Sequence, residues 1–272
     1  MKKLSLVLTL FLSSSLLVNA QDEKSGKFRF GLQAQPAFTW YKTDSKKLSS
    51  GGTKLKFAWG LSTEFKFTEN IWFCTGLSVN YDGGVLNFLD STKYFKNVDG
   101  YAELSAVNSA DYVKYDMVHL KKRTYNVTYV TLPLNLKMKT NEIGYMRYYG
   151  LFGLSLGFRA KATASDEGTE LRYASGALSS GNLVYAQPNT GYNEEKTLNN
   201  SDMQIFRTGL NIGGGVEWNI SGSTSLVFGA TYNLGFSNVL KSESKFLLTN
   251  TNQAFKQKAT SQNILITIGV LF

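Results

Sequence analysis

The sequence has one cysteine, Cys74, one histidine, His119, and three prolines in 272 residues. A single cysteine excludes an intrachain disulfide and a thiolate metal site. A single histidine excludes the clustered imidazoles of a zinc centre. Scarce proline beside 14% aromatic residues argues for extended, ordered structure and against disorder. After residue 20 no stretch has eighteen consecutive apolar side chains, which excludes a spanning helix. No cofactor motif stands out, and none is expected.

The first twenty residues have the layout of a secretory signal peptide. Lys2 and Lys3 precede an apolar run from Leu4 to Val18, and Val18-Asn19-Ala20 offers small side chains for cleavage after Ala20. The run is too short to cross a ~30 Å hydrocarbon core as a helix. No cysteine follows it, which argues against a lipoprotein. Residues 21–272 then form a single domain. Lysine and arginine exceed aspartate and glutamate by nine at pH 7. In a soluble domain that excess would suggest nucleic acid. In an exported chain the expected anionic neighbours are outer-membrane lipid and glycolipid head groups, with solvated loop charge as the plainer alternative.

What the sequence has in plenty is alternation of period two. In 262–272, Ile264, Ile266, Ile268, Val270 and Phe272 share one face, and Asn263, Thr267 and Gly269 lie on the other. In 53–67, Leu55, Phe57, Trp59, Leu61 and Phe65 oppose Lys54, Lys56, Ala58, Gly60, Ser62 and Glu64. The pattern recurs in 28–41, 71–82, 124–139, 145–161, 205–220 and 225–236. Each segment is as long as a tilted membrane strand needs. Alternation alone also fits a soluble sandwich or barrel. Three features favour the membrane. The polar faces carry Gly, Ser, Asn and Thr with little of the Lys and Glu of a soluble surface. Large aromatics sit towards both ends of the apolar faces, as in paired interfacial girdles. The connections alternate without exception: 42–52, 83–123, 162–204 and 237–261 are long, while 68–70, 140–144 and 221–224 are tight turns. The expected fold is therefore an all-β, eight-stranded antiparallel transmembrane β-barrel with long, polar, exposed extracellular loops. Ten strands result if a loop segment also crosses.

Most chemistry-bearing motifs have a plain structural reading. His119 could serve as a base in a lipid-modifying barrel, but with no visible Ser or carboxylate partner it reads as a loop histidine. Gly213-Gly214-Gly215 lies inside a strand and reads as lumen packing. Asp82-Gly83-Gly84 reads as a turn leaving a strand. Cys74 reads as an inert inward side chain. The inward charges are more informative. Arg29, Glu64, Lys137, Arg147 and Glu217 fall near the short-turn ends of their strands, and Arg159 and Arg207 fall near the long-loop ends. An eight-stranded barrel is just wide enough to be filled by side chains, and buried charges persist only when paired or hydrated. The expectation is a plug of Arg29–Glu64 and Arg147–Glu217 pairs with Lys137 nearby. A hydrated pore lining is the alternative.

The run Tyr129-Val130-Thr131-Leu132-Pro133-Leu134-Asn135-Leu136-Lys137 resembles the aromatic-x-x-x-Pro-Leu-x-Leu-Lys strand of the PorT-type outer-membrane β-barrels of Bacteroidetes. Phe30-Gly31-Leu32 and the closing Gly269-Val270-Leu271-Phe272 fit as well. Thr131 stands where members often carry an acid. The resemblance implies an integral outer-membrane protein and, for the founding member, a part in exporting proteins to the cell surface. Pro133 at the family's position implies a local bulge, because proline removes a ladder bond. Phe272, closing the last strand, resembles the signal read by barrel-insertion machinery. The functional expectation is a non-enzymatic structural, surface-binding or secretion-associated barrel, with secretion-system or surface proteins as partners and no nucleic acid. A narrow solute channel is the alternative, and a lipid-modifying enzyme ranks third.

Overall fold

The computed structural model describes residues 26–89, 92–97, 100–101, 116–171, 191–195, 202–249, 251 and 253–272. The expected signal peptide, with its cleavage after Ala20, lies outside these residues. Eight long strands make the wall: β1 (Phe28–Lys42), β2 (Lys54–Lys66), β3 (Ile71–Phe88), β4 (Asp116–Lys139), β5 (Met146–Leu171), β6 (Phe206–Ser221), β7 (Thr224–Gly235) and β8 (Thr260–Leu271). Each pairs antiparallel with its sequence neighbour. β1 also pairs with β8, from Gly31↔Leu271 to Lys42↔Thr260, and this closes the ring. Closure leaves no unpaired edge along the wall, which is what a sheet in hydrocarbon requires.

The wall is inverted relative to a soluble barrel. Leu32, Trp59, Leu77 and Phe152 are each 50–57% exposed on the outside. Glu64, Asn135, Lys137, Asn211, Glu217 and Asn233 are buried inside. Aromatic pairs belt the outer surface at both ends. Phe28–Phe65 and Phe30–Phe272, with ring centroids 5.1 and 5.3 Å apart, lie at the short-turn end. Trp40–Tyr232 and Phe158–Phe206, at 6.2 and 5.2 Å, lie at the other.

The long-loop end departs from expectation. Residues 83–123, 162–204 and 237–261 read as polar, exposed loops, yet their described parts hold strand and core. β3, β4 and β5 run on past the belt. Leu48–Ser50 pairs with the end of β3, Lys93–Asn97 with the start of β4, and Gly191–Glu195 with the end of β5. Glu243–Leu248 and Ala254–Lys256 form a hairpin that reaches Lys93. Together these pieces cap the mouth over a core that includes Tyr41, Leu86, Tyr125, Val127, Met203, Leu240 and Phe255.

β4 shows how one strand serves both halves. Below the belt Val130, Leu132 and Leu136 face out and Thr131, Asn135 and Lys137 face in. Above it Tyr125, Val127 and Tyr129 are buried inside while Thr124, Asn126 and Thr128 lie on the outer face. Apolar and polar faces exchange at the adjacent pair Tyr129-Val130.

Asp82-Gly83-Gly84 is not a turn. β3 passes through it and continues to Phe88. There it closes against β1: the Thr39 hydroxyl donates to the Gly83 carbonyl at 2.8 Å, and a Cβ at Gly84 would stand 2.8 Å from the Tyr41 backbone nitrogen. Pro133 makes no bulge. It stays in register opposite Ser155, and the β3–β4 ladder skips the residues between Cys74↔Asn135 and Ser78↔Thr131 without a shift. The ladder tolerates the missing donor by losing pairing locally. The register shifts of the β4–β5 pair fall instead at Leu120/Lys122 and Thr128/Tyr129.

Candidate functional site in the lumen

The inward charges gather in two layers. The lower one lies at the short-turn end. β2 supplies Glu64, β6 supplies Glu217, and β4 supplies Lys137 and Lys139, two residues apart on the inner face. Lys137 Nζ donates to Glu64 Oε1 and, at 2.9 Å, to Glu217 Oε1. Lys139 Nζ lies 2.6 Å from Glu64 and 2.8 Å from Glu217. Each ammonium thus bridges both carboxylates, and the four groups form a closed ring that crosses the lumen. Arg29 of β1 joins at 3.0 Å from Glu217 and also donates to the Ser225 hydroxyl at 2.8 Å. Aromatic faces complete the wall: Lys137 lies 4.3 Å from the Tyr149 ring centre and Lys139 lies 4.5 Å from that of Trp72. All four ring side chains are buried. Buried charges cost several kcal/mol each unless fully paired, and here each carboxylate meets two ammoniums.

The strand register places Arg29 opposite Glu64 and Arg147 opposite Glu217, as the sequence implies. The side chains choose other partners. Arg29 crosses to Glu217. Arg147 does not enter the lumen cluster: it donates to Glu142 at 2.9 Å in the adjoining turn and remains 42% exposed. A partner five residues away, at the rim, satisfies it without full desolvation. Lys139 fills the place that sequence reasoning gave to Arg147. It was missed because it ends the segment 124–139, although its parity with Lys137 pointed inward.

The upper layer sits where the lumen meets the cap. Arg207 is buried, pairs with the Asp82 carboxylate, and lies 4.1 Å from the Tyr129 ring centre. Ser261 donates to the same carboxylate at 2.9 Å. Arg159 does not join this pair. It donates to the Met203 carbonyl at 2.6 Å. Higher still, Arg123 and Asp166 form a fully buried fork, with N–O distances of 2.6 and 2.7 Å.

Between the layers lies a polar cavity of about 110 Å³. A chain of amides runs along its wall: Asn211 donates to Asn135 at 2.9 Å, and Asn233 donates to Asn211 at 2.6 Å and to Ser155 at 2.7 Å. Asn80 Oδ1 and Thr131 Oγ1, also on the wall, have no protein partner among the described residues. Such a space is polar and roomy enough for water. Gly213 and Gly215 let strands and side chains approach: a Cβ at Gly215 would stand 2.6 Å from the Tyr149 hydroxyl. Cys74 is buried, opposite Glu64 in the ladder. His119 lies in the cap extension of β4, opposite Lys93 and Thr169. Burial and the Lys93 charge hold its pKa below the usual histidine value, which keeps it neutral at pH 7. Among the described residues no group of three His, Cys, Asp or Glu side chains could hold a metal ion.

The family described as outer membrane protein beta-barrel domain matches residues 19–241. The chain belongs to this family. Members reside in the outer membrane, and the fold agrees: eight antiparallel strands in a closed ring, apolar outside and polar within. By the rule for such barrels the tight turns face the periplasm and the cap faces outward. The charge ring is then periplasmic and the Arg207–Asp82 layer lies near the cell surface. A comparison with curated proteins gives no match. Similar solved structures include the surface protein NspA of Neisseria, at 13% identity over 90% of this chain and 96% of that one, with a TM-score of 0.40. The outer membrane protease OmpT of Escherichia coli has 8% identity, coverage of 92% and 99%, and a TM-score of 0.43. The attachment invasion locus protein Ail of Yersinia pestis has 12% identity, coverage of 90% and 99%, and a TM-score of 0.37. The assignment stands on the family match and the observed ring.

Proposed function

We propose that this protein is a non-conducting, non-enzymatic barrel that presents a folded cap to other molecules at the cell surface. The observation that carries the reading is the ring Glu64–Lys137–Glu217–Lys139, which crosses the lumen at its short-turn end. The buried core of the cap supports it from the other side. The PorT-like run from Tyr129 to Lys137 favours a structural or surface-binding component associated with protein secretion, with secretion-system or surface proteins as partners. The polar cavity between the two layers supports a second reading, a narrow path for small solutes that opens when the ring breaks. Conductance in planar bilayers tests both. The unaltered protein should show no steady ion current. A stable open level in the unaltered chain overturns the sealed reading in favour of the channel.

A further inference from the structure

The two rims of the barrel differ in charge. Among the described residues of the periplasmic rim, exposed Lys27 and the partly exposed Arg147 are matched by exposed Glu69 and Glu142. At the extracellular end exposed lysines outnumber exposed carboxylates among the described residues. The exposed carboxylates there are already engaged: Asp44 lies 4.0 Å from Lys258, Glu167 2.8 Å from Lys122 and Glu243 3.8 Å from Lys256.

Two of the remaining lysines are placed with respect to the membrane. Lys42 is exposed on the outer face of β1, two residues beyond Trp40 of the Trp40–Tyr232 pair. Lys161 lies three residues beyond Phe158 of the Phe158–Phe206 pair. At ~3.3 Å per residue along strands tilted by roughly 35–45°, both Cα atoms lie about 5–8 Å above the belt, the depth of head groups. Lys161 reaches the outer face through a bulge. By strict alternation it would follow Arg159 inward. The register shift pairs Tyr129 with Arg159 and Thr128 with Lys161, so that Ala160 and Lys161 are both exposed and Ala162 is buried. A bulge that re-aims one side chain is a built feature of a wall. Neither lysine meets a carboxylate among the described residues.

We infer that Lys42 and Lys161 bind the phosphate groups of a phosphorylated glycolipid in the outer leaflet, each with the neighbouring aromatic pair against the lipid. The inference uses the family's orientation and not the sealed lumen, so a conducting barrel would leave it standing. The full chain can be reconstituted in phosphatidylcholine nanodiscs containing either bis-phosphorylated lipid A or the same glycolipid stripped of its phosphates. Native mass spectrometry then counts the glycolipid retained per barrel. The unaltered chain should retain the phosphorylated form alone. K42Q/K161Q should weaken retention roughly fivefold per lysine removed, and K27Q/K66Q at the opposite rim should not. Equal retention of the two glycolipids by the unaltered chain, a comparison that needs no variant, overturns the inference. So does equal retention by K42Q/K161Q and the unaltered chain.

Discussion

At the residue scale, the balance of the periplasmic ring depends on which cations enter it. Lys139 and Arg147 stand on adjacent strands near the same rim, yet one is buried between two carboxylates and the other is half in water beside Glu142. Replacing Lys139 with Met keeps the packing over Trp72 and leaves Glu64 and Glu217 short of an ammonium. Lys137 still bridges both carboxylates and Arg29 still holds Glu217, so the loss lies towards the low end of the about 3–5 kcal/mol of a broken buried pair. R147Q removes a rim contact worth at most about 1 kcal/mol. Urea unfolding of the barrel in lipid vesicles, followed by tryptophan fluorescence, should separate the two. An R147Q penalty as large as that of K139M would show that the ring is not where the stability lies. Parity marked Lys137, Glu64, Glu217 and Arg29 as inward in the sequence, and the register marked which residues share a depth. Partner choice was not legible. A long side chain reaches across the lumen to strands that are not its neighbours, and a turn carboxylate competes for any arginine at the rim.

At the scale of elements, the sequence shows the wall clearly and the cap poorly. Below the belt the alternation is clean because one face meets lipid and the other a polar lumen. Above it the sense reverses at Tyr129-Val130, since Tyr125 and Val127 now face a core and Thr124 and Asn126 face water. With the reversal unrecognised, the sequence reading begins β4 at 124 and keeps 83–123 as a long loop, with an extra strand in it as the alternative. β3 was cut short for another reason: Asp82-Gly83-Gly84 has turn composition, but its glycines serve close approach to Tyr41 and Tyr125. The same misreading hid Asp82 as the partner of Arg207. The contact has a consequence. A valine at Gly84 would collide with the Tyr41 backbone and ring, at 2.8 and 2.7 Å, and should lift the cap from the mouth without disturbing the wall. Trypsin applied to intact cells should cleave the exposed Lys121 slowly in the unaltered protein, because its strand is paired on the β5 side and packed into the cap. An overpacking penalty of about 1–3 kcal/mol predicts cleavage roughly fivefold faster or more in G84V. Equal rates would mean that the cap does not depend on this crossing.

At the scale of the whole molecule, everything rests on the β1–β8 seam. It joins the first strand to the last, and the wall cannot close until the last strand is in place. Residues Ile268 to Leu271 pair with Gly31–Ala34 on one side and with Ser225–Phe228 on the other. Phe272 adds a reciprocal pair of backbone bonds with Phe30, at 2.7 and 3.3 Å. Deleting 268–272 would expose two rows of backbone donors and acceptors to hydrocarbon, each group costing several kcal/mol. Such a chain should not accumulate in the outer membrane. F272A is the sharper experiment. Its backbone bonds to Phe30 survive, and only the ring contact at 5.3 Å is lost. If Phe272 acts solely through folded contacts, F272A should assemble in normal amount with a modest loss of stability. If insertion machinery reads the aromatic side chain, F272A should reach the membrane in reduced amount, while the molecules that arrive show the usual heat-modifiable shift on gels and nearly the unfolding midpoint of the unaltered chain. We expect the second outcome. Normal abundance of F272A would confine Phe272 to closing the seam.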